Sequence, residues 1–96
     1  MRLDTKEPKF EWDDDKRKIN IEKHGIDFVR AALIFAEPYK LMDAKSDVEM
    51  RHRAIGLLND MLITVVFTCR GDKIRLISAR RARDDESRAY HTVVTG

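Results

Sequence analysis

Residues 51–81 read RHRAIGLL ND MLITVVFTCR GD KIRLISARR, and this stretch decides the fold. Three strand-like runs, Arg51 to Leu58, Met61 to Cys69 and Lys73 to Arg81, are separated by turn signals. Asn59-Asp60 tolerates the positive φ of a tight hairpin, and Gly71-Asp72 marks the next turn. Ile63, Val65, Val66 and Phe67 form a near-continuous apolar run, which marks the middle run as the core strand. Connections this short join antiparallel neighbours, so the stretch is predicted as a meander.

On its N-terminal side, Tyr39 to Asp43 reads as a fourth strand and Ala44 to Met50 as a polar loop. Before these, Asp27 caps a helix whose Phe28, Ala31, Ala32 and Phe35 recur at i, i+3, i+4 and i+7. Pro38 stops it, because the residue before a proline avoids helical angles. Two alanines on the stripe predict close packing against a sheet. An earlier helix is capped by Asp13, has Asp14 and Asp15 in its first turn, and runs through Lys16 to Lys23. Lys23 and His24 suit the negative end of its dipole, and Gly25 stops it. Phe10-Glu11-Trp12 fits a short edge strand, with Trp12 and Phe28 assigned to the core. Residues 1–9 read as a loose tail, leaving 10–96 as one domain. Downstream, Asp84 caps a last helix over 85–94, with Ala89, Tyr90, Val93 and Val94 at helical spacing. The expected class is α+β: a small antiparallel sheet of three to four strands, two N-terminal helices and one C-terminal helix, with the helices on one face.

Ninety-six residues hold a single core. Hydrophobic residues make up 43% of the chain, enough for a packed interior, so wholesale disorder is excluded. No apolar run approaches the roughly 18 residues of a membrane span, and the first ten residues do not resemble a secretory signal. A cytoplasmic protein with no membrane partner is expected. The lone Cys69 rules out an internal disulfide and leaves too few thiols for structural zinc. GxxxxGK[ST] and HExxH motifs are absent, and His24, His52 and His91 fall on three different elements, so neither metal nor cofactor is expected.

Charge is unevenly spread. Residues 1–50 carry a net −2 and residues 51–96 a net +4, and eight of the nine cations in the second half are arginines. Arginine's planar fork suits phosphate oxygens, so this half favours an anionic partner, nucleic acid foremost. Alternation along a strand puts Arg51 and Arg53 on one face with Ile55 and Leu57. It puts Arg80 with Ser78 and Leu76, and Arg81 with Ala79, Ile77 and Arg75. One of Arg80 and Arg81 is expected on the helix side, paired with Asp85 or Glu86, and the other on the open face; either assignment fits the sequence. Glu86 and Tyr90, four apart, share a face of the last helix. Arginines, an acid and a phenol in one region can support RNA cleavage, in which a 2′-hydroxyl attacks the adjacent phosphate while cations stabilise the added charge.

Linked motifs sharpen this reading. Phe10-Glu-Trp-Asp, then Lys18-x-Asn20-x-x-Lys23-His24-Gly25-Ile26-x-Phe28, Glu49-x-Arg51 to Gly56, and Ile77-Ser-Ala-Arg80-Arg81-Ala82 with Glu86 and Tyr90 behind, resemble the BrnT family of small toxins. The resemblance covers roughly residues 10 to 91, with Arg30 standing where a Glu is more usual. It implies a RelE-like ribonuclease fold and the toxin of a type II toxin–antitoxin module, which degrades RNA without a metal and halts translation. It implies a BrnA-like ribbon-helix-helix antitoxin in a two-to-two complex, through which alone operator DNA is bound. It also implies roles: Arg80 and Arg81 for transition-state charge and RNA, and His24 and Tyr90 as further catalytic candidates. Lys23, Arg51, Arg53 and Glu86 become RNA-binding candidates, with Glu86 orienting an arginine. The rival readings are a small RNA- or DNA-binding module without catalysis, and a pure interaction protein whose basic face receives an acidic partner.

Overall fold

In a computed structural model, residues 9–47 and 49–94 are described. Of the expected tail, residues 1–8 lie outside them, and Lys9 opens the first strand. The element order is β1 (Lys9–Glu11), α1 (Asp14–His24), α2 (Phe28–Ala31), a 3₁₀ helix (Ala32–Ala36), β2 (Lys40–Ala44), β3 (Arg51–Leu58), β4 (Met61–Arg70), β5 (Lys73–Arg81) and α3 (Asp84–Val94).

Local chemistry explains the boundaries. The Asp13 carboxylate accepts from the Asp15 and Lys16 amides, and Gly25 closes α1 in the left-handed region at φ 72°. Asp27 caps α2 through the Val29 amide. Beyond Ala31 the expected single α-helix tightens into 3₁₀ geometry. The reason lies in its buried positions: Phe28, Ala31 and Ile34 recur every third residue, the 3₁₀ period, so the winding keeps all three on the sheet. The two hairpins turn at Asn59, with φ 55°, and Gly71, with φ 61°.

The sheet order is β1-β5-β4-β3-β2. From β2 to β5 it is the antiparallel meander. It has five strands rather than three or four, and it is not wholly antiparallel, because β1 pairs in parallel with β5 at Phe10↔Ile74. The edge strand expected at Phe10-Glu11-Trp12 is present one residue earlier, but a partner more than sixty residues later leaves no local trace of the parallel pairing. Past β1, the free edge of β5 is closed by a side chain. The buried Asn20 of α1 donates to the Ala79 carbonyl at 2.9 Å and accepts from the Ala79 amide at 3.0 Å, the two bonds a neighbouring strand would make.

The core lies between the sheet and the α2–3₁₀ segment, with Phe28, Ala31 and Ile34 against Ala54, Ile63, Val65, Leu76 and Ala79. At Gly56 a Cβ would stand 3.1 Å from the Ile34 Cβ, so glycine permits this close approach. Trp12 packs half-buried against Phe28, ring centres 6.0 Å apart.

The helices do not share one face. Ala54, Ile63 and Val65 face α2, whereas Thr64, one residue out of phase, hydrogen-bonds to Glu86 of α3. Only Ala82 and Arg83 separate β5 from α3, and the Ala82 amide still donates to the Leu62 carbonyl of β4 at 3.0 Å. Glu86 anchors α3 to the face opposite α2. A register shift also breaks the expected alternation on β5: Val66 pairs with Ser78 and Phe67 with Leu76, leaving Ile77 as the extra residue of a bulge. Leu76 therefore shares the core face with Ala79, and Arg80 points to the other side.

Candidate active site

The first turn of α3 places Glu86 against the sheet with a side chain that is 0% exposed. Five donors converge on its carboxylate. Oε1 accepts from Arg80 Nη1 at 2.8 Å, Thr64 Oγ1 at 2.8 Å and the Arg83 amide at 2.9 Å. Oε2 accepts from Arg80 Nη2 and Arg53 Nη1, each at 2.9 Å. The Arg83 bond is half of a capping box: Ser87 N–H donates to the Arg83 carbonyl, so Arg83, not Asp84, is the cap residue.

Burial by itself would push the Glu86 carboxyl upward. The hydrogen bonds from Arg80, the Arg83 amide, Thr64 and Arg53 outweigh it and hold the group well below the usual carboxylate range. Glu86 is therefore held in its ionised form, and its partner Arg80 is held more firmly protonated than an ordinary arginine. A carboxylate with this many donors is a poor proton acceptor. Its chemistry is to fix two guanidiniums in place.

Beside this cluster lies a cleft of about 520 Å³, lined by Asp43, Ala44, Lys45, Arg51, Arg53, Val66, Arg80 and Arg83. Four arginines thus reach one concavity. Arg53 also donates from Nε to the Asp43 carbonyl at 2.8 Å, which stretches it between β2 and α3. Arg51 is held by Glu49 at 3.2 Å, and Glu49 is also 3.5 Å from Arg70. The cleft offers cationic donors held in position by carboxylates, the arrangement that binds phosphate oxygens and stabilises added charge on phosphorus.

The structure brings together Arg51, Arg53, Arg80 and Glu86 of the residues expected from sequence. It settles the Arg80/Arg81 alternative: Arg80 is the partner of Glu86, and Arg81 is exposed, lining a separate cleft with Asn59, Asp60 and Asp84. Lys23 and His24 are exposed at the end of α1, which packs against β5, and they do not line the arginine cleft. Tyr90 is buried on α3, its ring 5.3 Å from that of His91. His52 points to the core face and stacks on Phe67 at 5.4 Å. Sequence reasoning passed over Arg83 and Thr64. The signals were present: Arg83 stands three residues before Glu86, the capping-box spacing, and Thr64 is a hydroxyl set between the apolar Ile63 and Val65 of β4.

The sequence pattern of the family described as "Ribonuclease toxin, BrnT, of type II toxin-antitoxin system" matches residues 12–86, a span that includes both the core and the arginine cluster. The chain belongs to the BrnT family. The crystal structure of the Brucella abortus ribonuclease toxin BrnT is similar at a TM-score of 0.65 and 34% sequence identity, covering 81% of this chain and 100% of that one. A search of curated proteins finds no match. The α+β architecture is thus that of a BrnT toxin, and membership implies an RNA substrate and an antitoxin partner. Among the described residues no helix is long and apolar enough to cross a membrane.

Proposed function

We propose that this BrnT protein is an endoribonuclease and that the arginine cleft is where it cleaves RNA. The observation that carries this is the convergence of Arg53 and Arg80 on one buried carboxylate at the wall of a cleft that Arg51 also lines. Fixed guanidiniums lose no orientational freedom when charge develops on the phosphate, so their stabilisation favours the transition state. In this reading Arg80 neutralises charge on the scissile phosphate, Arg53 supports it, Arg51 holds a flanking phosphate and Glu86 positions the first two. The 2′-hydroxyl of the RNA attacks the adjacent phosphorus and gives its proton to solvent water, while the P–O5′ bond breaks and the departing 5′-oxygen takes a proton from water, leaving a 2′,3′-cyclic phosphate. The cations that the reaction needs come from the protein, so no metal is required. Cleavage of cellular RNA stops translation, and a BrnA-like ribbon-helix-helix antitoxin in a two-to-two complex covers the cleft and carries the complex to operator DNA.

The test is cleavage of RNA by the purified protein with and without EDTA, beside an Arg80→Ala variant. Cleavage is expected in both conditions for the natural sequence and to fall by about 10²–10³-fold in the variant, the size of effect seen when one charge-stabilising donor is lost. Full activity in Arg80→Ala would overturn the assignment of the site. Loss of activity in EDTA would overturn metal independence. RNA binding without any cleavage would instead support a non-catalytic binding module.

A further inference from the structure

Three of the four arginines in the cleft are already engaged by carboxylates. Arg51 is paired with Glu49, and Arg53 and Arg80 share Glu86. The fourth differs: the Arg83 side chain makes no ion pair or hydrogen bond among the described residues, and the residue is exposed. Its backbone is nevertheless fixed, because its amide donates at 2.9 Å to the same Glu86 oxygen that accepts from Arg80 Nη1. A free cation is thus rooted on the carboxylate that organises the charge-stabilising pair. An arriving polyanion meets screened charge at three arginines and unpaired charge at Arg83 and at the exposed Lys45, and of these two only Arg83 has its backbone bonded to Glu86.

We propose that Arg83 is the residue that captures the RNA backbone: its guanidinium binds a phosphate neighbouring the scissile one and sets affinity, while Arg80 sets the rate. This rests on the ribonuclease reading of the cleft. A contact made equally in the bound and transition states lowers KM and leaves kcat unchanged. Because the side chain has no partner among the described residues, removing it leaves the fold intact, unlike removal of Arg53 or Arg80.

The experiment compares the natural sequence with Arg83→Ala and Arg83→Lys. Binding is measured by fluorescence anisotropy with a short randomised single-stranded RNA carrying 2′-O-methyl groups, and cleavage with the unmodified RNA. For Arg83→Ala, Kd and KM rise about tenfold, the worth of one charge-assisted phosphate contact, with kcat unchanged. The slope of log K against log salt becomes shallower by about 0.7, one phosphate on a single strand. Arg83→Lys recovers the slope, since it restores the charge. A fall in kcat at unchanged KM would overturn the proposal in favour of a catalytic role. Binding and salt slope equal to those of the natural sequence would overturn it outright while leaving the ribonuclease reading in place. Failure of the natural sequence to bind or cleave RNA would sink both.

Discussion

On one face of the sheet, Phe28, Ala31 and Ile34 lie on Ala54, Ile63 and Val65, six apolar side chains in contact. On the other, α3 is tied to Arg53, Thr64 and Arg80 through the single carboxylate of Glu86. The first face gains stability from burial, which is non-directional and survives small shifts. The second depends on the geometry of five hydrogen bonds around a desolvated charge, where a lost partner leaves an unpaired ion. The apolar core and the candidate site thus occupy opposite sides of one sheet, so substitutions on the core side should cost stability and spare activity, whereas those at Glu86 should cost both.

The largest effect is expected for Glu86→Ala. Two guanidiniums and a hydroxyl lose their shared acceptor, at a cost of about 3–5 kcal/mol. RNA cleavage should also be lost from the molecules that remain folded, as read by urea denaturation beside an activity assay. Phe28→Ala should cost a comparable 3–5 kcal/mol or so by cavity formation. Its activity per folded molecule should remain intact at low temperature. If Phe28→Ala abolished specific activity, the separation of the two faces would be wrong.

Gly56→Ala sharpens the comparison at a smaller scale. Its new methyl would press on Ile34 at 3.1 Å, and overpacking of this kind costs about 1–3 kcal/mol. A change in melting temperature without a change in KM is the expected result.

The smallest effect concerns acid. Asp27 is held at about 2, below its ordinary 3.8, by hydrogen bonds from Arg17 and the Val29 amide. A depressed carboxyl contributes stability that is fully present above its unfolded value and is lost as pH falls through its folded one. Melting temperature should therefore decline between about pH 4 and pH 2, and Asp27→Asn should flatten that decline. Glu86 is also depressed, so it stays ionised in the folded protein, but its share of stability falls across the same window and Asp27→Asn removes only part of the decline.

Much of this was legible in residues 51–81. The three strands of the meander and both turns followed from alternation, apolar runs and turn chemistry, and each survives in β3, β4 and β5. The capping of α1 and α2 by Asp13 and Asp27 was equally local. The cap of α3 was misplaced by one residue, because Asp84 resembles a cap while Glu86 supplies the bond. The continuous second helix failed because period-three burial at Phe28, Ala31 and Ile34 was overridden in the reading by Phe35 at i+7. The gathering of arginines was visible as composition, but not which of them meet.

The amino-acid order alone determined the strands, their turns, most helix starts and the family, since each rests on neighbours a few residues apart. Only the folded chain decided that β1 lies parallel to β5, that α3 covers the face opposite α2, and that Arg80 rather than Arg81 joins Arg53 at Glu86. Those outcomes turn on a bulge at Ile77 and on one buried anion choosing its donors across three strands and a helix. Pairing over such sequence distances is settled by the free energy of the whole assembly, and no local window contains it.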